Sequence, residues 1–200
     1  YIDKPIKTCN KNTKMINRDE SYSSFFNGKI KIEKWGPKEI NSIHSKIEVT
    51  NEGTFESARR IIEDYKINNV CVLNFASATK PGGGVKNGRT AQEETLSRQS
   101  SLYSSLITQE KMYNYFKKHK SPFYNHTMIY SPKVVVFRNE KYELVPPIFV
   151  SVITSPAVNY SLLLKRYKKG ERDKDVYDCM KNRCRKILEL AIVNENKGIV

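Results

Sequence analysis

The segment Asn69–Phe75 restricts the fold more strongly than any other part of the chain. Its sequence, NVCVLNF, is almost continuously apolar, which is typical of a strand buried on both faces of a sheet. Segments with the apolar spacing of a helix lie at 54–66 and at 173–194. Because strands separated by helices of this length indicate an α/β sandwich, we predict that fold class.

The same patterns predict the remaining elements. Residues 1–28 are polar and without regular spacing, and one helix is expected over 90–108. Further strands are expected at 29–35, 46–50, 127–130, 134–137 and 148–154. The last residues, Gly198–Val200, have the pattern of one more strand, so we expect the domain to continue beyond Val200.

The composition indicates one globular domain with neither a membrane span nor a metal site. The 200 residues are 38% hydrophobic and 28% charged, and no apolar run reaches the roughly 18 residues of a transmembrane helix. The cysteines have no CxxC or zinc-finger spacing, and the three histidines are dispersed. We therefore expect no cofactor, reduced thiols and a cytosolic or nuclear setting, of which we take the cytoplasm. The chain begins without a methionine or a secretory core, so we expect missing residues upstream.

The loop after the buried strand carries the motif most indicative of chemistry. Residues 74–99 read NFASATKPGGGVKNGRTAQEETLSRQ, and ligands of α/β sheets bind beyond the carboxyl ends of strands. Gly82, Gly83 and Gly84 remove every Cβ and permit positive φ, so successive N–H groups can point at one anion such as a diphosphate. A flexible surface turn is the alternative. Neither a P-loop nor a GxGxxG fingerprint is present.

Two glutamates follow at the start of the next predicted helix. Thr90 and Glu93 have the spacing of a capping box, and Glu94 would benefit from the helix dipole, so a structural role is the simple alternative. A diphosphate close to Glu93 would, however, favour the protonated form of Glu94. A protonated glutamate beside an anchored sugar is a general acid for cleavage of a glycosidic bond.

These residues resemble the GGG…QEE motif of poly(ADP-ribose) glycohydrolases. The flanking text, NFASATKPGGGV and EETLSRQSSLYSSL, is similar to the microbial type of that family, as are the segments 130–138 and 153–159. The likeness covers roughly residues 45–200, whereas the first 40 residues match nothing recognisable. We therefore expect an N-terminal extension at 1–40 and a macrodomain-like catalytic domain at 41–200 that is incomplete at its end.

The resemblance implies a macrodomain, a three-layer α/β/α sandwich whose mixed sheet binds ADP-ribose across its strand ends. By the same likeness Glu94 would be the catalytic acid, Glu93 would hold the neighbouring ribose, and Gln92 would support the pair. Asn74 would orient a ribose hydroxyl. The other implied substrate-binding residues are Ala76, Gly82, Gly83, Gly84, Val85, Thr154 and Asn159.

The implied reaction is hydrolysis of the ribose–ribose bonds of poly(ADP-ribose), by a monomer that needs no membrane. An ADP-ribose reader without activity and a hydrolase of single ADP-ribose marks on protein or nucleic acid are the alternatives. The prediction of nucleic acid as a partner rests only on the net charge of +14. The basic residues are spread from Lys4 to Lys197, which is also expected of a solvated surface. Endo or exo cleavage stays open at this point.

Overall fold

The central sheet is built around the strand predicted at 69–75. The computed structural model describes residues 14–16 and 46–200. Its strands are β1 (Lys14–Ile16), β2 (Val70–Phe75), β3 (Met128–Arg138), β4 (Leu144–Ser155) and β5 (Gly198–Ile199). Its helices are α1 (Thr54–Glu63), α2 (Gln92–Gln99), α3 (Leu102–Leu106), α4 (Glu110–His119), α5 (Tyr160–Leu164) and α6 (Asp173–Val193).

The strand order places the ends of three strands at one edge of the sheet. The order is β1-β3-β4-β2-β5, with β2 parallel to β4 and β5, and β3 antiparallel to β1 and β4. The carboxyl ends of β2 and β4 therefore meet where Phe75 lies opposite Ser155. The amino end of β3 lies at the same edge, because Ile129 pairs with Thr154.

Alternate residues along the strands face two different helical layers. The layer on one face is formed by α1 to α4, which pack on Val72 of β2 and Val152 of β4. The layer on the other face is α6, which packs on Cys71 and Ile153. The predicted three-layer α/β/α sandwich with a mixed sheet is confirmed.

The strand predicted at 46–50 is wrong. Ile47 and Val49, the residues expected to face a core, are 88% and 97% exposed. Glu48 and Glu52 instead bind Arg60 of α1, which holds the segment along that helix and away from the sheet.

The N-terminal predictions have mixed outcomes. Lys14–Ile16, in the region predicted to be irregular, is a strand that pairs antiparallel with β3. The strand predicted at 29–35 lies outside the described residues.

The single helix predicted over 90–108 is two helices, because the chain between them bonds to β3. Ser101 donates its N–H to the Val135 carbonyl at 2.9 Å, and its Oγ accepts from the Val135 N–H at 3.0 Å. Ser100 forms an isolated bridge with Val136. The two strands predicted at 127–130 and 134–137 are the single strand β3.

The helices α1 and α6 and the strand β5 begin at or next to their predicted residues. The short helices α4 and α5 were not predicted. Among the described residues, no helix combines the length and the apolar character that crossing a bilayer requires.

Candidate active site

Two buried carboxylates lie in the first turn of α2, at the sheet edge where β2 and β4 end. Glu93 and Glu94 are 3% and 5% exposed, which is unusual for glutamates. The predicted capping box is wrong, since Ala91 is the residue before the helix and no side chain caps it. The Glu93 carboxylate turns to other donors, so the capping explanation does not account for this pair.

Gln92 fixes the start of α2 to the end of β2. Its Oε1 accepts from the Phe75 N–H at 2.8 Å, and its Nε2 donates to the Leu73 carbonyl at 2.8 Å and to Thr54 Oγ1 at 3.3 Å. These bonds satisfy the last backbone groups of β2. Gln92 therefore supports the glutamates by positioning their helix.

Both carboxylate oxygens of Glu93 accept hydrogen bonds. Oε2 accepts from the Ser77 N–H at 2.7 Å, and Oε1 accepts from Asn74 Nδ2 at 3.4 Å. Burial raises the pKa of Glu93 to about 7, although the hydrogen bonds from Ser77 and Asn74 lower it; the charge of Glu94 adds to the rise. Glu93 is therefore a carboxyl group that changes protonation near neutral pH.

Glu94 is held against the triple glycine. Its Oε1 accepts from the Gly84 N–H at 2.7 Å, whereas no donor among the described residues binds its Oε2. A Cβ added at Gly83 would lie 2.5 Å from Glu94 Oε1 and 3.0 Å from Glu93 Oε2. A side chain at Gly83 would therefore require both carboxylates to shift, and the positive φ of Gly83 also favours glycine.

The glycine loop forms tight turns. Gly82 and Gly83 have φ of 66° and 60°, the left-handed region that favours glycine. The Gly83 N–H bonds to the Lys80 carbonyl, the Gly84 N–H to Glu94, and the Val85 N–H to the Gly82 carbonyl. The expectation that these amides all point at one anion is therefore not met, because the positive φ values fold the loop onto itself and onto Glu94.

Asn74 is the buried link between β2, β4 and the glutamates. Its Nδ2 also donates to Thr154 Oγ1 at 3.2 Å, and both side chains are fully buried. Its Oδ1 is buried without a hydrogen-bond partner among the described residues. This unbonded acceptor belongs to the side chain that donates to Glu93, and a hydroxyl donor from a sugar would satisfy it.

Two other predicted residues bond elsewhere than to the glutamates, although Ala76 directly precedes Ser77, whose N–H binds Glu93. Asn159 caps α5, where its Oδ1 accepts from the Leu162 N–H at 3.0 Å and its N–H donates to the Pro122 carbonyl. Ala76 donates its N–H to the Ser155 carbonyl at 3.4 Å and so connects the ends of β2 and β4. Neither contacts Glu93 or Glu94 through a described hydrogen bond, and their roles in binding stay predictions.

Sequence reasoning missed Ser77 and Tyr113. The Ser77 N–H donates to Glu93. Because every residue except proline has a backbone N–H, the sequence gives no sign of this contact. Tyr113 of α4 is 1% exposed, its hydroxyl has no hydrogen-bond partner among the described residues, and burial, with a smaller effect of the Glu93 charge, raises its pKa. The apolar spacing of Met112, Tyr113 and Phe116 could have predicted α4 and this burial.

The arrangement suits acid–base catalysis on a sugar. One carboxylate has both oxygens occupied, and its neighbour has one oxygen held and one available. A backbone turn without side chains lies against the pair, so a substrate can approach closely.

Comparison with protein families gives one match, to the microbial-type PARG catalytic domain, over residues 1–139. The match includes the glycine loop, Asn74 and the glutamates, and it extends into residues 1–40, which no motif could place. No curated protein matches the chain.

Solved structures of bacterial poly(ADP-ribose) glycohydrolases are similar to this chain. That of Thermomonospora curvata bound to the inhibitor ADP-HPD is 30% identical, with a TM-score of 0.74, over 95% of this chain and 63% of that one. That of Deinococcus radiodurans with ADP-ribose is 37% identical, with a TM-score of 0.69, over 76% of this chain and 60% of that one. The structure of a mutant of the Deinococcus protein with ADP-ribose is 31% identical, with a TM-score of 0.76. The match covers 96% of this chain and 72% of that one. The chain thus spans less than two thirds of the length of the first two proteins and 72% of the mutant.

Proposed function

Because the chain belongs to the family of microbial-type PARG catalytic domains, we propose that it hydrolyses the ribose–ribose O-glycosidic bonds of poly(ADP-ribose) and releases ADP-ribose. The observation that carries this proposal is the contact between the Glu94 carboxylate and the triple glycine, with the Gly84 N–H 2.7 Å from Glu94 Oε1. The solved structures of its relatives contain the inhibitor ADP-HPD or ADP-ribose.

The hydrogen bonds of the pair favour Glu94 as the general acid. Both oxygens of Glu93 accept hydrogen bonds, from the Ser77 N–H and from the Asn74 side chain, and these bonds hold the carboxylate in place. Glu94 has one oxygen fixed by Gly84 and the other without a described donor. A carboxyl group with one oxygen anchored and one available is positioned to exchange a proton with substrate.

The proposed reaction needs only this proton exchange and a water molecule. Protonated Glu94 donates its proton to the departing 2′-oxygen as the bond from the anomeric carbon to that oxygen breaks. Water attacks the oxocarbenium-like ribose, and the Glu94 carboxylate takes the proton that the water releases. Glu93 orients the neighbouring ribose, and the diphosphate stabilises the positive charge on the sugar.

Asn74 supports the proposal from the other side of the pair. Its amide nitrogen is committed to Glu93 and Thr154, which leaves Oδ1 as an acceptor for a ribose hydroxyl. Thr154 would act through Asn74, by holding its orientation.

A release assay tests the proposed activity. We expect the chain to release ADP-ribose from poly(ADP-ribose) and to bind free ADP-ribose in calorimetry. Binding without release would support a reader module, and release from mono-ADP-ribosylated protein but not from the polymer would support a hydrolase of single marks. Either result would overturn the polymer as substrate.

We further propose that the chain acts as a monomer in the cytoplasm. Within the described residues Cys71 and Cys184 are free thiols, which supports a reducing compartment. Fractionation of cells and light scattering of the purified chain test this. Recovery from a membrane or secreted fraction, or the mass of a dimer, would contradict it.

A further inference from the structure

Two basic segments that lie far apart in the sequence form one surface. The first ends α4 and the second follows α5. Together they contribute seven exposed cationic side chains, here called the basic patch: Lys117, Lys118, Lys120, Lys165, Arg166, Lys168 and Lys169.

Described hydrogen bonds bring these segments together. Arg166 donates its Nη2 to the Lys120 carbonyl at 3.2 Å. The Asn159 N–H donates to the Pro122 carbonyl at 2.8 Å. The end of α4 and the chain around α5 are therefore neighbours, and the charges of both segments add on one face.

The side chains of the basic patch form no described ion pairs, although the Glu171 carboxylate accepts the backbone N–H of Lys168. Ion pairs elsewhere in the described chain use Arg59, Arg60, Arg172 and Arg185, but no member of the patch makes one with a described residue. Repulsion among unpaired like charges is unfavourable and weakens when a polyanion binds. A surface kept only for solubility would usually mix both signs.

A buried arginine links the two loops that lie between the basic patch and the candidate active site. Arg183 of α6, only 1% exposed, donates to the Pro156 carbonyl at 2.9 Å and to the Phe123 carbonyl at 2.8 Å. Pro156 lies two residues after Thr154, which binds Asn74 beside Glu93. A buried guanidinium therefore fixes the loop after β4 and the loop after α4 against each other.

The sheet topology places the basic patch at the same edge as the glutamates. The loop after α4 leads into the amino end of β3, and the segment around α5 leaves the carboxyl end of β4. Those two strand ends are paired, Ile129 with Thr154.

From this geometry we propose that the basic patch binds the part of a poly(ADP-ribose) chain that extends away from the unit in the active site. Each further unit carries a diphosphate, whose charge lysine and arginine neutralise. The proposal rests on the proposed function, because the polymer must first be a ligand of the glutamate site.

A poly(ADP-ribose) chain fits this surface better than nucleic acid does. The patch is joined through the loop that Arg183 binds to Thr154, which bonds Asn74 of the candidate ADP-ribose site, and a nucleic acid has no terminal ADP-ribose unit for that site. A polymer whose terminal unit is bound by hydrogen bonds in that site must leave it along this edge of the sheet.

The test compares two variants of the full chain with equal loss of charge. The patch variant carries Lys117→Gln, Lys118→Gln, Lys165→Gln and Lys168→Gln. The control variant carries the same change at four exposed lysines outside the patch: Lys111, Lys141, Lys181 and Lys197. Affinities are measured for long poly(ADP-ribose), for ADP-ribose and for single-stranded RNA, at several salt concentrations.

We expect the ratio of polymer affinity to ADP-ribose affinity to fall at least tenfold in the patch variant and to stay near the wild-type value in the control. The slope of log affinity against log salt for the polymer should fall by about 2–3, since each contact to a single strand contributes about 0.7.

Equal polymer-to-monomer ratios in the two variants would overturn the proposal while leaving the glutamate site intact. Tighter binding of RNA than of the polymer, lost in the patch variant, would overturn it in favour of nucleic acid. If the wild-type chain bound neither ADP-ribose nor the polymer, the proposed function itself would fail.

Discussion

Gly83 connects the backbone of the loop to the two carboxylates, and its substitution separates steric from conformational effects. In Gly83→Ala the new Cβ would lie 2.5 Å from Glu94 Oε1 and 3.0 Å from Glu93 Oε2. We expect the carboxylates to move and ADP-ribose release to fall by a factor of about ten or more, since misplacement of about 1 Å can reduce a rate 10²-fold.

Gly88→Ala is the matched control for this prediction. Gly88 also has a positive φ, 75°, but a Cβ there meets no atom within 4 Å. Both variants should lose about 1 kcal/mol of unfolding free energy in urea titrations because of the left-handed backbone. Equal activity in the two would show that the close approach at Gly83 has no catalytic consequence.

Glu93 makes the stability of the chain depend on pH. Burial raises its folded-state pKa from 4.5 to about 7. The stability that protonated Glu93 contributes is fully present below pH 4.5. It declines as the pH rises, because the unfolded chain releases the proton first, and it is lost once the pH passes about 7. At about 1.4 kcal/mol per pKa unit, the loss is at most about 3.5 kcal/mol.

Glu93→Gln tests this dependence, because glutamine cannot ionise. Between pH 5 and pH 8 the unfolding free energy of the wild-type chain should fall relative to that of Glu93→Gln by up to about 3 kcal/mol. Glu110→Gln, an exposed substitution of the same type, should track the wild type. A constant difference between Glu93→Gln and the wild type would contradict the raised pKa.

At the scale of residues, the sequence predicted which residues form the site better than it predicted their hydrogen bonds. The nearness of Glu93 and Glu94 to Gly82–Gly84 follows from their position between one strand and one helix. The direction of each amide does not, because it depends on φ and ψ values that many glycine sequences can adopt. The Gly84 N–H therefore binds Glu94 where a free anion-binding amide was expected.

At the scale of elements, the break between α2 and α3 depends on the pairing of Ser101 with β3. Ser101→Ala removes the Oγ acceptor of the Val135 N–H, which is bonded at 3.0 Å. Because this bond is only part-buried, its loss should lower the free energy of unfolding by about 1 kcal/mol. Ser104→Ala, at a neighbouring helical serine without a described hydrogen bond, should change it by less than about 0.5 kcal/mol. Equal losses would rule out the bond as the cause.

Elements with strong local patterns were predictable, and those set by distant contacts were not. The apolar run of β2 and the spacing of α6 gave their bounds within a residue or two. The segment 46–50 alternates like a strand, but Arg60 binds it to α1 through Glu48 and Glu52. The interruption at Ser100 and Ser101 also comes from a partner strand that lies over 30 residues away in sequence.

At the scale of the whole molecule, the net charge of +14 indicates a binding surface only when the positions of the charges in the fold are known. The spread of basic residues along the chain predicts no binding face. The fold brings the end of α4 beside the segment after α5, at the edge that holds the glutamates. The fold class was predictable from the order of elements, whereas this surface required the topology.

The central claim is that Glu94 transfers the proton in a site assembled by the glycine loop. The most direct measurement is the rate of ADP-ribose release from poly(ADP-ribose) by Glu94→Gln, beside its affinity for ADP-ribose in calorimetry. The account predicts a rate lowered by about 10²–10⁴ with affinity changed by less than about threefold, since glutamine can still accept the Gly84 N–H. Release at the wild-type rate would contradict it.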